Sequence, residues 1–435
     1  MQRQYEIMFP FTTDNDCYIY NGNNGKIYHS NKDLNEMLHN VQEGNIDASP
    51  DLARYVSSLI GEDPIEETKI RNFTQVSQEQ WMKGNVVHKI WLSLTESCNM
   101  NCSYCFGEYG NKGFASMMSI ETAKKCIDYF FRYANQYVDV YSVRFFGGEP
   151  LLNKEVLQFS IEYINEKAKD VGKRISYLLT TNGTLIDDQI MQLVMDNNIS
   201  LNISIDGDRN IHNHNRIYKN GMGTFDSVME GINRINKSGY KNLIARVTLS
   251  KPGIATFKND IEFLWRIGFS QVYVDLVETN KKDLIVDCKD LEELDIQLKQ
   301  LLDAMVKHYK IHDYKALRNI TDTYEFIDKQ LLKEACMYFN PFTIQFTPNG
   351  DVYKCCRVLN KDIRFAGNVD KGIDWQNYYR KFTHDNKCNN CWAKRLCGGG
   401  CKAVDNMDLH CEFWKLIYHY SLKYYMYMKE LVESK

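Results

Sequence analysis

No stretch of this 435-residue chain approaches about 18 consecutive apolar residues, so no membrane-spanning helix is expected. Neither sign of charge is in excess: 53 Lys and Arg face 56 Asp and Glu, a formal net of −3. Nucleic-acid-binding chains are usually basic, so no nucleic-acid partner is expected. Met1 to Tyr5 contain no apolar stretch of the kind a secretion signal carries. The composition lacks the bias of disordered or collagen-like chains. With 44% hydrophobic residues there is enough apolar material for a core, and the length suggests two or three domains. A cytoplasmic location is expected, and there the 14 cysteines would not form a disulfide framework. Metal ligation is the better account, with burial as small apolar residues the alternative.

Spacing separates these accounts. Cys98, Cys102 and Cys105 form a C-x3-C-x2-C run just after His88–Leu94, a stretch of β-formers that reads as a strand. Three soft thiolates on one loop suit zinc, copper or iron–sulfur. A structural zinc site would need a fourth ligand, whereas a 4Fe–4S cluster can leave one iron open. Further strands are predicted at Val143–Phe146, Ile175–Thr181, Ser200–Ile205, Leu243–Leu249 and Gln271–Val277. Helical patterns such as Ile120–Tyr133 and Phe225–Ile235 alternate with them. Six strands in strand–helix alternation predict an α/β fold with a parallel sheet, and the polar motifs fall at strand C-terminal ends.

The C-x3-C-x-Tyr104-C run resembles the signature of the radical S-adenosylmethionine (radical SAM) enzymes. Gly147-Gly148-Glu149-Pro150, after a predicted strand, resembles that family's GGEP motif. The resemblance implies a partial (β/α)6 TIM-like barrel and a cluster-bound SAM cleaved to a 5′-deoxyadenosyl radical. It places Tyr104 near adenine, and Gly147, Gly148 and Glu149 at the SAM amine. It puts Ser204 at the ribose, Arg216 at the carboxylate, where Arg246 is an alternative, and Leu276 over the adenine. The layout Cys336-x13-Gly350-x4-Cys355, then Cys388-x2-Cys391-x5-Cys397-x3-Cys401 and Cys411, resembles the SPASM domain. That pattern assigns Cys336, Cys355 and Cys401 to one auxiliary 4Fe–4S cluster. It assigns Cys388, Cys391, Cys397 and Cys411 to another, three clusters in all. A zinc ribbon on Cys388, Cys391, Cys397 and Cys401 is the alternative. Cys17, Cys126, Cys288 and Cys356 remain; either the first auxiliary cluster has an open iron, or Cys356 or another side chain fills it.

Ahead of the barrel, strands are predicted at Tyr5–Phe9, Tyr18–Tyr20 and Lys26–Tyr28, the last two around an Asn21–Gly25 turn. Helices are predicted at Leu34–Val41, Leu52–Ile60 and Glu62–Ile70. This order resembles the RiPP recognition element, a winged-helix-like domain that holds the leader of a ribosomally made precursor peptide. A structural extension of the barrel is the alternative. The resulting domains are 1–87 (recognition element), 88–290 (barrel), 291–335 (helical bridge) and 336–435 (SPASM). The last includes a helix over Phe413–Val432, expected to pack on the barrel.

SPASM enzymes mostly modify peptides and proteins. Anaerobic sulfatase maturases place an Asp where this chain has Cys356 and a cysteine where it has Phe342, and usually begin closer to the first motif. The run from Phe106 to Gly110 and on to Glu121 looks like that of the thioether-forming sactipeptide and ranthipeptide synthases. The resemblance implies a precursor peptide with its leader as partner, and a flavodoxin or ferredoxin as electron donor. Carbon–carbon cross-linking maturases and a degenerate peptide-binding scaffold are alternatives.

Overall fold

The chain opens with three antiparallel strands, β1 (Met8–Thr12), β2 (Cys17–Asn21) and β3 (Ile27–Ser30), in that order in a small sheet. The computed structural model describes residues 5–61, 87–107, 116–333, 342–356, 365–378, 386–401, 404 and 407–433. The expected helix over Glu62–Ile70, and Cys336, lie outside them. β1 begins later than the sequence pattern placed it. Met8 N donates to Tyr5 O at 3.1 Å and closes a turn over the residues before the strand. The β2–β3 turn forms as expected, with Asn23 N donating to Asn21 Oδ1 (2.8 Å) and Gly25 at φ +76°. Helices α1 (Lys32–Gln42) and α2 (Pro50–Gly61) follow. The Asn31 side chain accepts from Leu34 N, and Ser49 Oγ from Leu52 N, so each helix start has its capping acceptor.

Contacts divide the chain into two units that do not follow chain order. One comprises Met1–Gln75, Leu298–Cys336 and Phe382–Lys435. Within it the small sheet is covered on both faces, as period-two alternation allows. Met8 and Ile19 face Leu38, Val41, Leu52 and Val56 of the two helices. Phe11, Tyr18 and Tyr20 face Trp392, Leu396, Tyr418 and Leu422. Phe9 stacks on Trp392 with ring centroids 3.9 Å apart. The long helix Met407–Glu433, expected on the barrel, instead belongs to this unit and packs against the small sheet, because an apolar stripe does not name the face it meets. Arg395 fastens the same region, donating to Asn23 O (2.8 Å) and Gln330 O (2.9 Å).

The other unit comprises Val76–Gln297 and Met337–Lys381. All six predicted strands are present: β4 (Lys89–Ser93), β5 (Val140–Phe146), β6 (Arg174–Thr181), β7 (Ser200–Ser204), β8 (Leu243–Leu249) and β9 (Gln271–Leu276). Each pairs in parallel with the next. Leu92, Val143, Phe145, Leu179, Leu201, Ile203 and Val274 are fully buried and form its spine. Two connecting helices start on side-chain caps: Ser119 before Ile120–Tyr133 and Asp187 before Asp188–Asp196. A feature not foreseen is that Thr343–Phe346 adds in parallel to the outer edge of β4, followed by antiparallel Asp351–Tyr353, Phe365–Asn368 and Gly372–Ile373. These strands are two to four residues long, too short for periodicity to mark.

Candidate active site

At the C-terminal ends of the parallel strands lies a cleft of about 260 Å³. Cys98, Cys102, Tyr104, Cys105, Gly147, Gly148, Ser204, Arg216 and Leu276 all line it. Arg246, Asp275 and Cys356 line it as well. The three cysteines follow β4 on a loop stitched to the segment carrying Arg216: Asn101 N donates to Ile217 O (2.8 Å) and Ser103 N to Asn215 O (2.9 Å). Burial pushes the Cys98 thiol up to about 12 and the Cys102 thiol up to about 11, so metal loading must expel protons.

Gly147 and Gly148, expected at the SAM amine, also meet a packing requirement within the chain. A Cβ on Gly147 would lie 2.4 Å from Thr95 O, and one on Gly148 2.2 Å from Ser97 O. Gly148 N donates to Thr95 O, and Glu149 N to Ser97 O, both at 2.8 Å. The glycines therefore let the end of β5 lie directly on the backbone that leads to Cys98. Glu149 is fully buried, and its carboxylate accepts from Thr181 Oγ1 (2.7 Å), Asn182 N (2.7 Å) and Leu151 N (3.0 Å). Burial raises its pKa to about 7 against those donors. Asn182 in turn donates to Asn99 Oδ1 at 2.8 Å and lies 3.9 Å from Cys98 Sγ. Glu149 thus reaches the cysteine loop through Asn182.

Asp206 was missed as a site residue. It is 3% exposed; Oδ1 accepts from Arg216 Nη2 (3.0 Å) and Thr248 N (2.9 Å), and Oδ2 from Tyr104 OH. The Arg216 guanidinium also sits 5.4 Å from the Tyr104 ring centroid. An acidic residue two positions after the end of β7, at Ser204-Ile-Asp206-Gly207, was the available signal. Arg246, the alternative carboxylate partner, is paired with Asp275.

On the cleft lining, the buried Arg216 Nε and Asn202 Oδ1 have no hydrogen-bond partner among the described residues. An orphaned guanidinium donor beside three thiols fits a ligand that carries a carboxylate and binds at a cluster. Among the described residues, no three ligating side chains lie close enough to hold a single metal ion. A tetrahedral zinc would draw thiolates to about 3.8 Å from one another, given Zn–S near 2.3 Å. A cubane carries each thiolate on a different iron and holds them further apart.

In the other unit, Cys388, Cys391, Cys397 and Cys411 are electrostatic neighbours. Burial pushes Cys397 up to about 11, with Cys411 and Cys391 adding to the rise. Burial also raises Cys411, with Cys388 and Cys391 beside it. Cys355 is buried just after the strand Asp351–Tyr353.

Residues 92–264 match the family model of the Radical SAM superfamily, so the parallel-strand unit carries the α/β radical SAM fold. A cysteine-type anaerobic sulfatase-maturating enzyme of Clostridium novyi is 26% identical over 77% of this chain and 95% of its own length. The radical SAM cyclopropyl synthase TigE of Paramaledivibacter caminithermalis is 23% identical over 73% of this chain and 68% of that protein. Among solved structures, native anSMEcpe with bound AdoMet superposes with TM-score 0.66 at 19% identity, covering 78% of this chain and 98% of that one. Streptococcus suis SuiB bound to precursor peptide SuiA gives TM-score 0.51 at 15% identity, covering 92% and 95%. At such identities the structural likeness speaks to the fold. No helix among the described residues is long and apolar enough to cross a membrane.

Proposed function

We propose that this chain is a radical SAM enzyme that modifies a ribosomally made precursor peptide, joining substrate Cys sulfur to carbon as a thioether. The observation that carries the reading is one cleft lined by Cys98, Cys102 and Cys105 together with Tyr104, Arg216 and Cys356. When bound, a 4Fe–4S cluster and SAM supply a 5′-deoxyadenosyl radical there. The chain's own residues position and shield. Arg216, held by Asp206, offers its unpartnered Nε to the SAM carboxylate. Glu149 steadies the cysteine loop through Asn182, and Ser204 and Leu276 face the space for the nucleoside.

The same reading gives Cys336, Cys355 and Cys401, and Cys388, Cys391, Cys397 and Cys411, to two auxiliary 4Fe–4S clusters. Residues 1–87 recognise the leader, which adds as a strand to the β3 edge of the small sheet. A flavodoxin or ferredoxin supplies electrons, and the enzyme works in the cytoplasm. The sulfatase-maturating relatives and SuiB with its bound precursor peptide support a peptide substrate.

Anaerobically reconstituted protein should hold about twelve iron and twelve sulfide per chain. The Cys98→Ala/Cys102→Ala/Cys105→Ala variant should lose about a third of that iron and all SAM cleavage. 5′-Deoxyadenosine from the triple variant would refute the catalytic assignment. The precursor product should be two hydrogens lighter, or a multiple of that, with its Cys thiols closed to alkylation. Alkylatable thiols in such a product would favour a carbon–carbon link. The sulfatase-maturating relative motivates a second reading, formylglycine formation. Cys356 and Phe342 argue against it, so a sulfatase peptide should remain unmodified.

A further inference from the structure

Remote in sequence from the catalytic motifs, the unit that holds the small sheet contains a groove of about 480 Å³. One wall is a single face of the helix that ends at Lys310. Lys299, Leu302, Asp303, Val306, Lys307 and Lys310 recur there at helical spacing. The facing wall is Tyr420, Lys423 and Tyr427 of the helix Met407–Glu433, and the end of β1 closes one side with Thr12 to Asp14. Four lysines therefore meet two aspartates in a chain whose net charge is −3. Lys299, Lys307 and Lys310 are exposed and form no ion pair with any described residue. A monomer gains nothing in stability by gathering unpaired like charges on one face.

The shape narrows the ligand. From Lys299 to Lys310 the helix rises about 16 Å, the span of about five residues of extended chain. Leu302, Val306 and the buried ring of Tyr420 give an apolar floor between cationic rims. A duplex nucleic acid would meet Asp14 and Asp303 in so narrow a groove. A short polypeptide that alternates carboxylates with apolar side chains fits both floor and rims. We propose that this groove binds an acidic, leucine-like segment of the peptide substrate, away from the residue being modified. The proposal rests on the reading above that the substrate is a peptide. It adds a second point of attachment, which raises the effective concentration of the reacting residue at the cleft.

The test uses full-length, cluster-reconstituted protein and a fluorescein-labelled Glu-Leu-Glu-Glu-Leu-Glu peptide, read by anisotropy. The probe should bind, and its Kd should rise with added salt. Replacing its four Glu by Gln should abolish binding. The Lys307→Glu/Lys310→Glu variant should weaken binding at least tenfold, while Lys310→Arg should stay within about twofold of the parent. SAM cleavage should be unchanged in both, since neither residue touches the cleft, so failure here is separable from failure of the enzymatic reading. Should the double reversal not fold, Lys299→Gln/Lys310→Gln should still weaken binding severalfold. An unchanged Kd in the folded charge variants overturns the proposal, as does equal binding of the Gln peptide. Displacement of the probe by inorganic pyrophosphate at lower concentration than by unlabelled peptide also overturns it, and assigns the groove to small anions.

Discussion

Arg216 is held from behind by a histidine that has to stay neutral. His212 is fully buried, with Nε2 3.0 Å from Thr224 Oγ1. The Thr224 hydroxyl donates to Arg216 O at 2.8 Å, so its oxygen accepts and the histidine proton is assigned to Nε2. Burial, reinforced by the Arg216 charge and opposed by Asp206, pushes the His212 pKa down to about 3. An unfolded histidine titrates near 6.5, so below that pH the unfolded chain binds more protons than the folded one. Stability is therefore lost as pH falls from about 6.5 towards 3, by about 1 kcal/mol between pH 7 and pH 5.5. Urea unfolding at pH 7 and pH 5.5 should show this drop in the parent and a smaller one in His212→Leu. Equal slopes would mean that His212 is hydrated or protonated in the fold. The sequence displayed His212 only as a neighbour of Arg216, because burial and a threonine twelve residues away leave no local pattern. The cysteines are different: the expectation of ligation comes from their spacing, and the three after β4 line one cleft.

The elements that were legible are those whose period is long enough to count. The six strands and the two named helices appear where the residue patterns placed them, and Ile120–Tyr133 matches residue for residue. The short strands after Thr343 carry too few residues to repeat anything, and β1 slipped because the turn at Tyr5 looks as apolar as a strand. The GGEP turn was visible as a motif, but the reason for its glycines was not, because the atoms they avoid belong to a loop about 50 residues earlier. That reason makes a sharp prediction. Gly148→Ala places a methyl 2.2 Å from a backbone oxygen, which no side-chain rotation relieves. We expect a loss of about 3 kcal/mol or more, and separation of the Cys98 loop from β5. Iron analysis of the purified variant should show about a third less iron than the parent. A variant with full iron and normal SAM cleavage would show that the loop can retreat without losing its cluster.

On the scale of the molecule, the chain was read as four consecutive stretches, whereas packing interleaves it. The segment before residue 75 and the cysteine-bearing segment after residue 382 share one unit. Sequence patterns report local periodicity and say nothing of which distant apolar face meets which, so this arrangement could not be read in advance. Truncation of residues 1–61 would strip Phe9, Phe11, Tyr18 and Tyr20 from Trp392, Leu396 and Tyr418. Such a protein should lose the iron assigned to Cys388, Cys391, Cys397 and Cys411, about a third of the total, while still cleaving SAM. Full iron retention after truncation would show that the C-terminal helix and its cysteines hold together without the small sheet.

The aromatic face of that sheet also has a history during synthesis. Asn23 and Lys394, which meet at 3.0 Å in the finished fold, stand 371 positions apart in the chain. At about 5–20 residues per second, a ribosome needs roughly 20–75 s to supply the second partner after the first. For that interval β1 and β2 show solvent, or a chaperone, the rings that Trp392 and Tyr418 will later cover. The parallel-strand unit can condense in the meantime from residues already made. Slower translation lengthens the exposure, so soluble yield should fall as the codons between Asn23 and Lys394 are read more slowly.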